Sequence, residues 1–121
     1  MERRILIVED EEDILVEISF ILTKKGYSVI KCSDGEQALV LVKQEKPDMI
    51  ILDLFLPKMS GIDVSRAVKM DDELKNIPVL ILTASVDNIA EKAEIAMADD
   101  YLIKPFEYLQ LLDKITALIK E

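Results

Sequence analysis

The sequence predicts an α/β protein in which a doubly wound parallel sheet is covered by helices on both faces. Two observations predict this class. Five short segments are almost continuously apolar, as is typical of strands that are buried on both sides. Segments with helical spacing of apolar residues separate them, and no linker interrupts the alternation. The chain of 121 residues is therefore expected to form a single domain, 1–121.

Three strands and two helices are predicted in the first half of the chain. Apolar segments at 4–8, 28–32 and 48–52 predict the strands, and periodic apolar residues predict helices over about 11–25 and from 33 or 34 to just before Pro47. Gly26 is expected to close the first helix in a left-handed conformation, and Ser33 or Asp34 to cap the second. The expected buried face of the first helix consists of Ile14, Leu15, Ile18, Phe20, Ile21 and Leu22.

The second half of the chain continues the alternation. A loop at 54–61 leads to a helix over about 62–70, a strand at 79–82 that ends at Thr83, a helix over about 88–97 and a strand at 101–103. Lys104 and Pro105 follow that strand. The last helix is expected to bury Phe106, Leu109, Leu112, Ile115 and Ile119 or nearby positions.

Composition excludes several classes of function. With 24 acidic against 15 basic residues and a formal net charge of −9, the chain is not expected to bind nucleic acid or an anionic membrane directly. No apolar run is long enough to span a membrane, and the single Cys32 has no partner for an internal disulfide, so a cytoplasmic location is expected. The absence of histidine removes the phosphohistidine carrier role.

Polar side chains follow four of the predicted strands. Glu9 and Asp10 follow the first strand, Asp53 the third, Thr83 the fourth and Lys104 the fifth. Taken singly, each has an ordinary explanation as a turn residue, a helix cap or a solvated lysine. Because right-handed crossovers bring the carboxyl ends of parallel strands to one edge of the sheet, we expect all of them to meet there.

These side chains are suited to phosphoryl transfer. Asp10 and Asp53 offer the carboxylates that Mg²⁺ prefers, and Glu9 can reach the ion through water. The Asp53 carboxylate can act as a nucleophile toward a phosphoryl group. The ammonium of Lys104, the hydroxyl of Thr83 and the backbone N–H of Ala84 can bind the phosphoryl oxygens.

At this point the chain resembles the receiver domain of bacterial two-component response regulators. The matching stretches lie at 5–11, 47–61, 78–84 and 98–106, in the order expected and over the whole chain. Their sequences are ILIVEDE, PDMIILDLFLPKMSG, PVLILTA and ADDYLIKPF. The resemblance implies a flavodoxin-like (βα)5 sandwich with strand order 2-1-3-4-5, and a receiver domain without an output domain in this chain.

The resemblance also assigns the site. It implies that Asp53 accepts a phosphoryl group from a sensor histidine kinase or a phosphotransfer protein. Asp10, Asp53 and the backbone carbonyl of Phe55 would bind Mg²⁺, or Mn²⁺, with Glu9 acting through water. Thr83, Lys104 and the Ala84 N–H would bind the phosphoryl group, and the peptide bond between Lys104 and Pro105 is expected to be cis.

The resemblance further implies a switch. Tyr101 would rotate inward as Thr83 moves toward the phosphoryl group, and helix 4, strand 5 and helix 5 would present the change to a downstream protein or a separate output domain. Such a domain is not a turnover enzyme, although it assists its own Mg²⁺-dependent phosphorylation and dephosphorylation. The resemblance implies that related proteins dimerise through several charged pairs on this face. In this sequence Asp100 and Lys114 could form one such pair, so we expect a monomer or a weak phosphorylation-dependent dimer.

The chain departs from the family pattern in two places. Thr83 and Lys104 are one residue closer than expected, and Met97 replaces the usual glycine, as if helix 4 had lost a residue near its end. Phe55 stands where some phosphatases carry a second aspartate. Because Phe55 is not an acid or base, and Ser85 carries no charge, we hypothesise a long-lived phosphorylated form. Simple packing of Phe55 in its loop is the alternative.

Three other functions are compatible with parts of this sequence. A flavin-binding domain of the same architecture would need a phosphate-binding loop where the acidic run 9–13 lies. An aspartyl-phosphate hydrolase is disfavoured by Phe55. A receiver-like interaction module that acts without phosphorylation is disfavoured by the complete set of acids, Thr83 and Lys104, but the irregular fourth helix leaves it open.

Overall fold

A computed structural model describes residues 2–84 and 87–119. Its centre is a five-stranded parallel sheet with strand order β2-β1-β3-β4-β5. No helix in the described ranges is long and apolar enough to cross a membrane. In chain order the elements are β1 (Arg4–Val8), α1 (Glu12–Lys24), β2 (Ser28–Cys32), α2 (Gly35–Glu45), β3 (Met49–Leu52), α3 (Gly61–Lys69), β4 (Val79–Thr83), α4 (Ile89–Ile95), β5 (Asp100–Ile103) and α5 (Tyr108–Leu118).

Both faces of the sheet are buried, which explains why its central strands are apolar without alternation. On one face Ile5 and Ile7 of β1 belong to a cluster that includes residues of α1 and α5. On the other face Leu6 and Val8 pack in a cluster with α2 and α3. The predicted α/β class and the order 2-1-3-4-5 are both confirmed.

Local signals position several helix ends. The Asp34 side chain accepts a hydrogen bond from the N–H of Gln37, so Asp34, rather than Ser33, caps α2. Gly26 follows α1 with φ +94°, which confirms its predicted left-handed conformation. The α5 helix begins with a reciprocal capping box between Glu107 and Gln110.

Two residues predicted to be buried are exposed. Phe20 is 63% exposed and Leu109 is 62% exposed. In α1 the buried contacts come from Ile18 and Leu22, and in α5 from Leu111 and Ile115. A residue two positions away from such a pair points about 200° around the helix, so it faces solvent.

The fourth helix is shorter than predicted. The sequence predicts it over about 88–97, but it covers Ile89–Ile95 and is preceded by Asn88 in a left-handed conformation. Beyond its C-terminal end, Met97 has φ +61°, where a side chain costs about 1–2 kcal/mol. The methionine therefore adopts a conformation that glycine would adopt freely.

We expect Met97→Gly to stabilise the protein by about 0.5–1 kcal/mol, because relief of the left-handed strain exceeds the extra entropy of glycine in the unfolded chain. Met97 is 45% exposed, so little packing is lost. Urea unfolding measures the difference. Glu94→Gly, an exposed position inside α4, is the control and should lower stability by about 1 kcal/mol. A loss of stability in both variants would contradict the assignment of strain to Met97.

Candidate functional site

The carboxyl ends of the strands meet at one edge of the sheet, as predicted. Backbone hydrogen bonds hold the site residues there beyond the ends of the strands. The N–H of Glu9 donates to Cys32, that of Asp53 to Val8, and that of Lys104 to Thr83. The backbone of each of these three residues is thus held by the sheet, so the position of its Cα is fixed relative to the other two.

Lys104 links two of the acidic residues. Its Nζ lies 2.5 Å from Glu9 Oε1 and 3.0 Å from Asp53 Oδ2. The side chain of Lys104 is only 8% exposed and that of Glu9 only 2%. The sequence does not predict this buried ion pair, since it assigns Glu9 to a metal through water and Lys104 to a phosphoryl group.

Burial and pairing act in opposite directions on these groups. Burial raises the pKa of the Glu9 carboxyl above its usual value, even though hydrogen bonds from Lys104 and from the Glu11 N–H lower it. For Lys104, burial alone would lower the pKa, but the hydrogen bonds to Glu9 and Asp53 together raise it. Lys104 is therefore held in its ammonium form.

The acidic residues suit a hard divalent cation. Carboxylate oxygens of Glu9, Asp10 and Asp53 all lie within 4.8 Å of one another. Within residues 2–84 and 87–119, these three carboxylates lie together and Lys104 supplies an ammonium to two of them. Oxygen ligands at this spacing fit Mg²⁺. Asp10 is exposed and offers a route from solvent.

The loop after β3 folds back against Asp53 at the end of that strand. Phe55 N–H donates to Asp53 Oδ1 at 3.3 Å, so the two carboxylate oxygens of Asp53 face different donors. The N–H of Gly61 donates to the carbonyl of Leu54, which brings the start of α3 back against the end of β3. Asp53 itself is buried at the base of this loop.

The other predicted residues lie in or next to β4 and β5. Thr83 is buried at the end of β4, and Ala84 follows it directly. Tyr101 is half-buried in β5 and packs against the apolar cluster of α4. The peptide bond between Lys104 and Pro105 is cis, as expected. The hypothesis about Ser85 concerns a residue outside the described ranges.

Phe55 does not pack into its loop. Its side chain is 62% exposed, which does not support the simple packing explanation. Its ring centroid lies 5.5 Å from Lys92 Nζ on α4, a distance typical of a cation–π contact. Sequence reasoning missed this contact, since nothing in the spacing of positions 55 and 92 indicates it.

A doubly wound sheet with acidic residues and a buried lysine at its carboxyl edge defines the class of receiver-like α/β domains. The sequence profile of the response regulator receiver domain matches residues 5–116. The chain therefore belongs to the response regulator receiver family, whose domains act as phosphorylation-activated switches in two-component systems.

Curated relatives are longer than this chain. The alkaline phosphatase synthesis transcriptional regulatory protein PhoP of Bacillus subtilis is 37% identical over 121 residues, which are 99% of this chain and 50% of PhoP. The DNA-binding response regulator MtrA of Mycolicibacterium paratuberculosis is 35% identical over 99% of this chain and 52% of MtrA. The chain thus spans about half the length of these relatives.

Solved structures share the whole architecture. The receiver domain of sensor histidine kinase PA1611 from Pseudomonas aeruginosa, with a magnesium ion coordinated in its active-site cleft, has a TM-score of 0.91, 29% identity and 98% coverage of both chains. Response regulator TrrA from Thermotoga maritima, in complex with Mg²⁺-BeF, has a TM-score of 0.86 and 29% identity, with coverage of 96% of this chain and 98% of TrrA.

Proposed function

We propose that Asp53 accepts a phosphoryl group and that the chain thereby works as a switch in a two-component system or phosphorelay. The observation that carries this proposal is the surroundings of the Asp53 carboxylate. Lys104 Nζ lies 3.0 Å from Asp53 Oδ2, and the carboxylates of Glu9 and Asp10 lie close by. A nucleophile, a fixed cation and ligands for a metal thus meet at one point of the sheet edge.

The transfer replaces one bond to phosphorus by another. An oxygen of the Asp53 carboxylate forms a bond to phosphorus while the bond to the imidazole nitrogen of a phosphohistidine breaks, and that nitrogen keeps the electron pair and takes a proton from water. Lys104 can form an ion pair with the oxygens of the transferred phosphoryl group, because its ammonium already lies beside Asp53. Thr83 and the N–H of Ala84 would donate further hydrogen bonds to the phosphoryl oxygens.

Mg²⁺ is the cofactor that this site fits best, and Mn²⁺, which also accepts oxygen ligands, would substitute for it. Asp10, Asp53 and the backbone carbonyl of Phe55 would hold the ion, with Glu9 acting through water. When bound, the ion supplies positive charge against the phosphoryl oxygens. The residues that surround it then assist the phosphorylation and the dephosphorylation of the domain itself.

A groove beside the acceptor suits the phosphoryl donor. It encloses about 340 Å³ and runs between α1 and the segment after β5. Apolar side chains line it next to Lys104, so a helix of a histidine kinase or phosphotransfer protein could bring its phosphohistidine to Asp53 from this side. The residues that line the groove are Glu11, Ile14, Glu17, Ile18, Ala84, Lys104, Pro105 and Phe106.

The output surface is assigned to α4, β5 and α5. Movement of Thr83 toward the phosphoryl group would draw Tyr101 inward, and a downstream protein or output domain would recognise the changed face. Lys114 Nζ lies 2.9 Å from Asp100 Oδ2 within the chain, so these charges already balance each other. This pairing supports a monomer or weak phosphorylation-dependent dimer, and the acidic chain with one buried thiol suits the cytoplasm.

Incubation with acetyl phosphate and Mg²⁺ tests the proposal. Intact-mass analysis should show one phosphoryl adduct, and the adduct should disappear when Mg²⁺ is removed with a chelator. Asp53→Asn is the matched control, because it keeps the size of the side chain but removes the nucleophilic oxygen. A folded wild-type protein that binds Mg²⁺ and forms no adduct would contradict the proposal and favour an interaction module that acts without phosphorylation.

A further inference from the structure

The acceptor loop and α4 are joined by two contacts. Inside the protein, Leu54 packs in one apolar cluster with Ile89 and Ala93 of α4. Outside, the ring of Phe55 lies beneath the ammonium of Lys92, 5.5 Å from centroid to Nζ. The two residues that directly follow Asp53 thus both contact the same short helix, Leu54 through a buried contact and Phe55 through an exposed one.

The α4 helix is anchored at its C-terminal end. Ser65 Oγ donates to the carbonyl of Ala96 at 2.7 Å, and Arg66 Nη1 donates to that of Ile95 at 2.9 Å. Both donors lie on α3, so the last carbonyls of α4 are tied to its neighbour. With this end fixed, Lys92 projects from an anchored turn and can hold the Phe55 ring in place.

We propose that Lys92 is a positioning residue that holds Phe55 as a cover over the acceptor and so slows hydrolysis of the aspartyl phosphate. The inference rests on phosphorylation of Asp53. Phe55 is suited to this role because its backbone N–H contacts Asp53 Oδ1, while its ring stands at the surface. In hydrolysis a water oxygen bonds to phosphorus as the bond to Asp53 breaks, and the released phosphate carries both hydrogens of that water. A ring held beside the phosphoryl group obstructs the approach of this water.

The test measures the loss of the phosphoryl adduct after excess acetyl phosphate is removed, with Mg²⁺ present and intact mass as the readout. Lys92→Met keeps the length of the side chain but removes the charge, and it should raise the rate constant of phosphoryl loss about threefold or more. Lys92→Arg should restore the wild-type rate, because a guanidinium also binds an aromatic face. Phe55→Leu should raise the rate similarly, and Lys92→Met added to Phe55→Leu should raise it no further.

The chain offers a matched control. Lys24 Nζ lies 5.3 Å from the ring centroid of Phe20 on α1, so Lys24→Met removes the same kind of contact away from the acceptor and should leave the rate unchanged. An unchanged or slower rate in Lys92→Met, or additive effects in the double variant, would overturn the inference while phosphorylation of Asp53 stood. Failure of the wild-type protein to form an adduct would overturn both.

Discussion

Replacing Lys104 with methionine is expected to lower the free energy of unfolding by about 3 kcal/mol at neutral pH. Methionine fills nearly the same space but leaves the carboxylates of Glu9 and Asp53 without their shared ammonium. Removing one partner from a buried ion pair is costly because the remaining charge is still shielded from water. Chemical denaturation of the metal-free protein measures this loss.

The loss should depend on pH in a direction set by Glu9. Burial raises the pKa of Glu9 above 4.5 in the folded wild-type protein, and removal of the Lys104 hydrogen bond should raise it further. An acid with a raised folded-state pKa binds its proton more tightly when folded, so stability falls as pH rises from 4.5 through that folded value. The deficit of Lys104→Met should therefore shrink as pH is lowered toward 4.5.

The titration of Lys104 itself affects stability in a different, alkaline pH range. Its folded pKa lies above 10.5, so the stability it contributes is fully present below that value and is lost only as pH rises through the folded pKa. Lys114→Met is the control, since it breaks the half-exposed pair with Asp100 and should cost less than about 1 kcal/mol. Equal losses in the two variants would contradict the importance given to the buried pair.

Gly61→Ala is expected to lower the free energy of unfolding about as much as Lys104→Met, because of a steric clash and not because of lost charge. A Cβ at this position would lie 2.0 Å from the carbonyl oxygen of Asp53 and 2.8 Å from the Cα of Leu54. Both are backbone atoms, so the start of α3 and the end of β3 would have to separate. We expect a loss of about 3 kcal/mol in unfolding free energy.

The same change should also impair phosphorylation. Displacement of a reacting group by about 1 Å can reduce a rate by roughly a hundredfold, so the Gly61→Ala variant should form its adduct at least tenfold more slowly at a temperature where it is folded. Gly26→Ala is the control. Its φ is +94° but nothing lies within 4 Å of the added Cβ, so it should cost about 1 kcal/mol in stability and leave the adduct rate unchanged. Similar adduct rates in the two variants would contradict the role of Gly61.

Sequence patterns were sufficient to locate the strand ends. Apolar runs mark the strands, and parallel topology then brings Asp53, Thr83 and Lys104 to one edge, as the structure confirms. The pairing of Lys104 with Glu9 could not be predicted in this way. It joins residues 95 positions apart and depends on side-chain conformations that backbone periodicity does not specify.

For the helices, too, the sequence predicts the positions of the elements but not the tertiary contacts. Helical spacing correctly predicted α1 and α5, but a broad apolar stripe did not reveal that Phe20 and Leu109 lie outside the buried face. The early end of α4 depends on Ser65 and Arg66, which bond to its last carbonyls from about 30 residues away. Contacts of this kind arise from tertiary packing and leave no local pattern.

The most direct measurement identifies which carboxylate carries the phosphoryl group. After incubation with acetyl phosphate and Mg²⁺, borohydride reduction converts the acyl phosphate to an alcohol, and peptide mass analysis then locates the reduced side chain. The account predicts reduction at Asp53 alone, with none in Asp53→Asn. Reduction at Glu9 or Asp10 instead, or at none of the three in folded protein with Mg²⁺ bound, would contradict it.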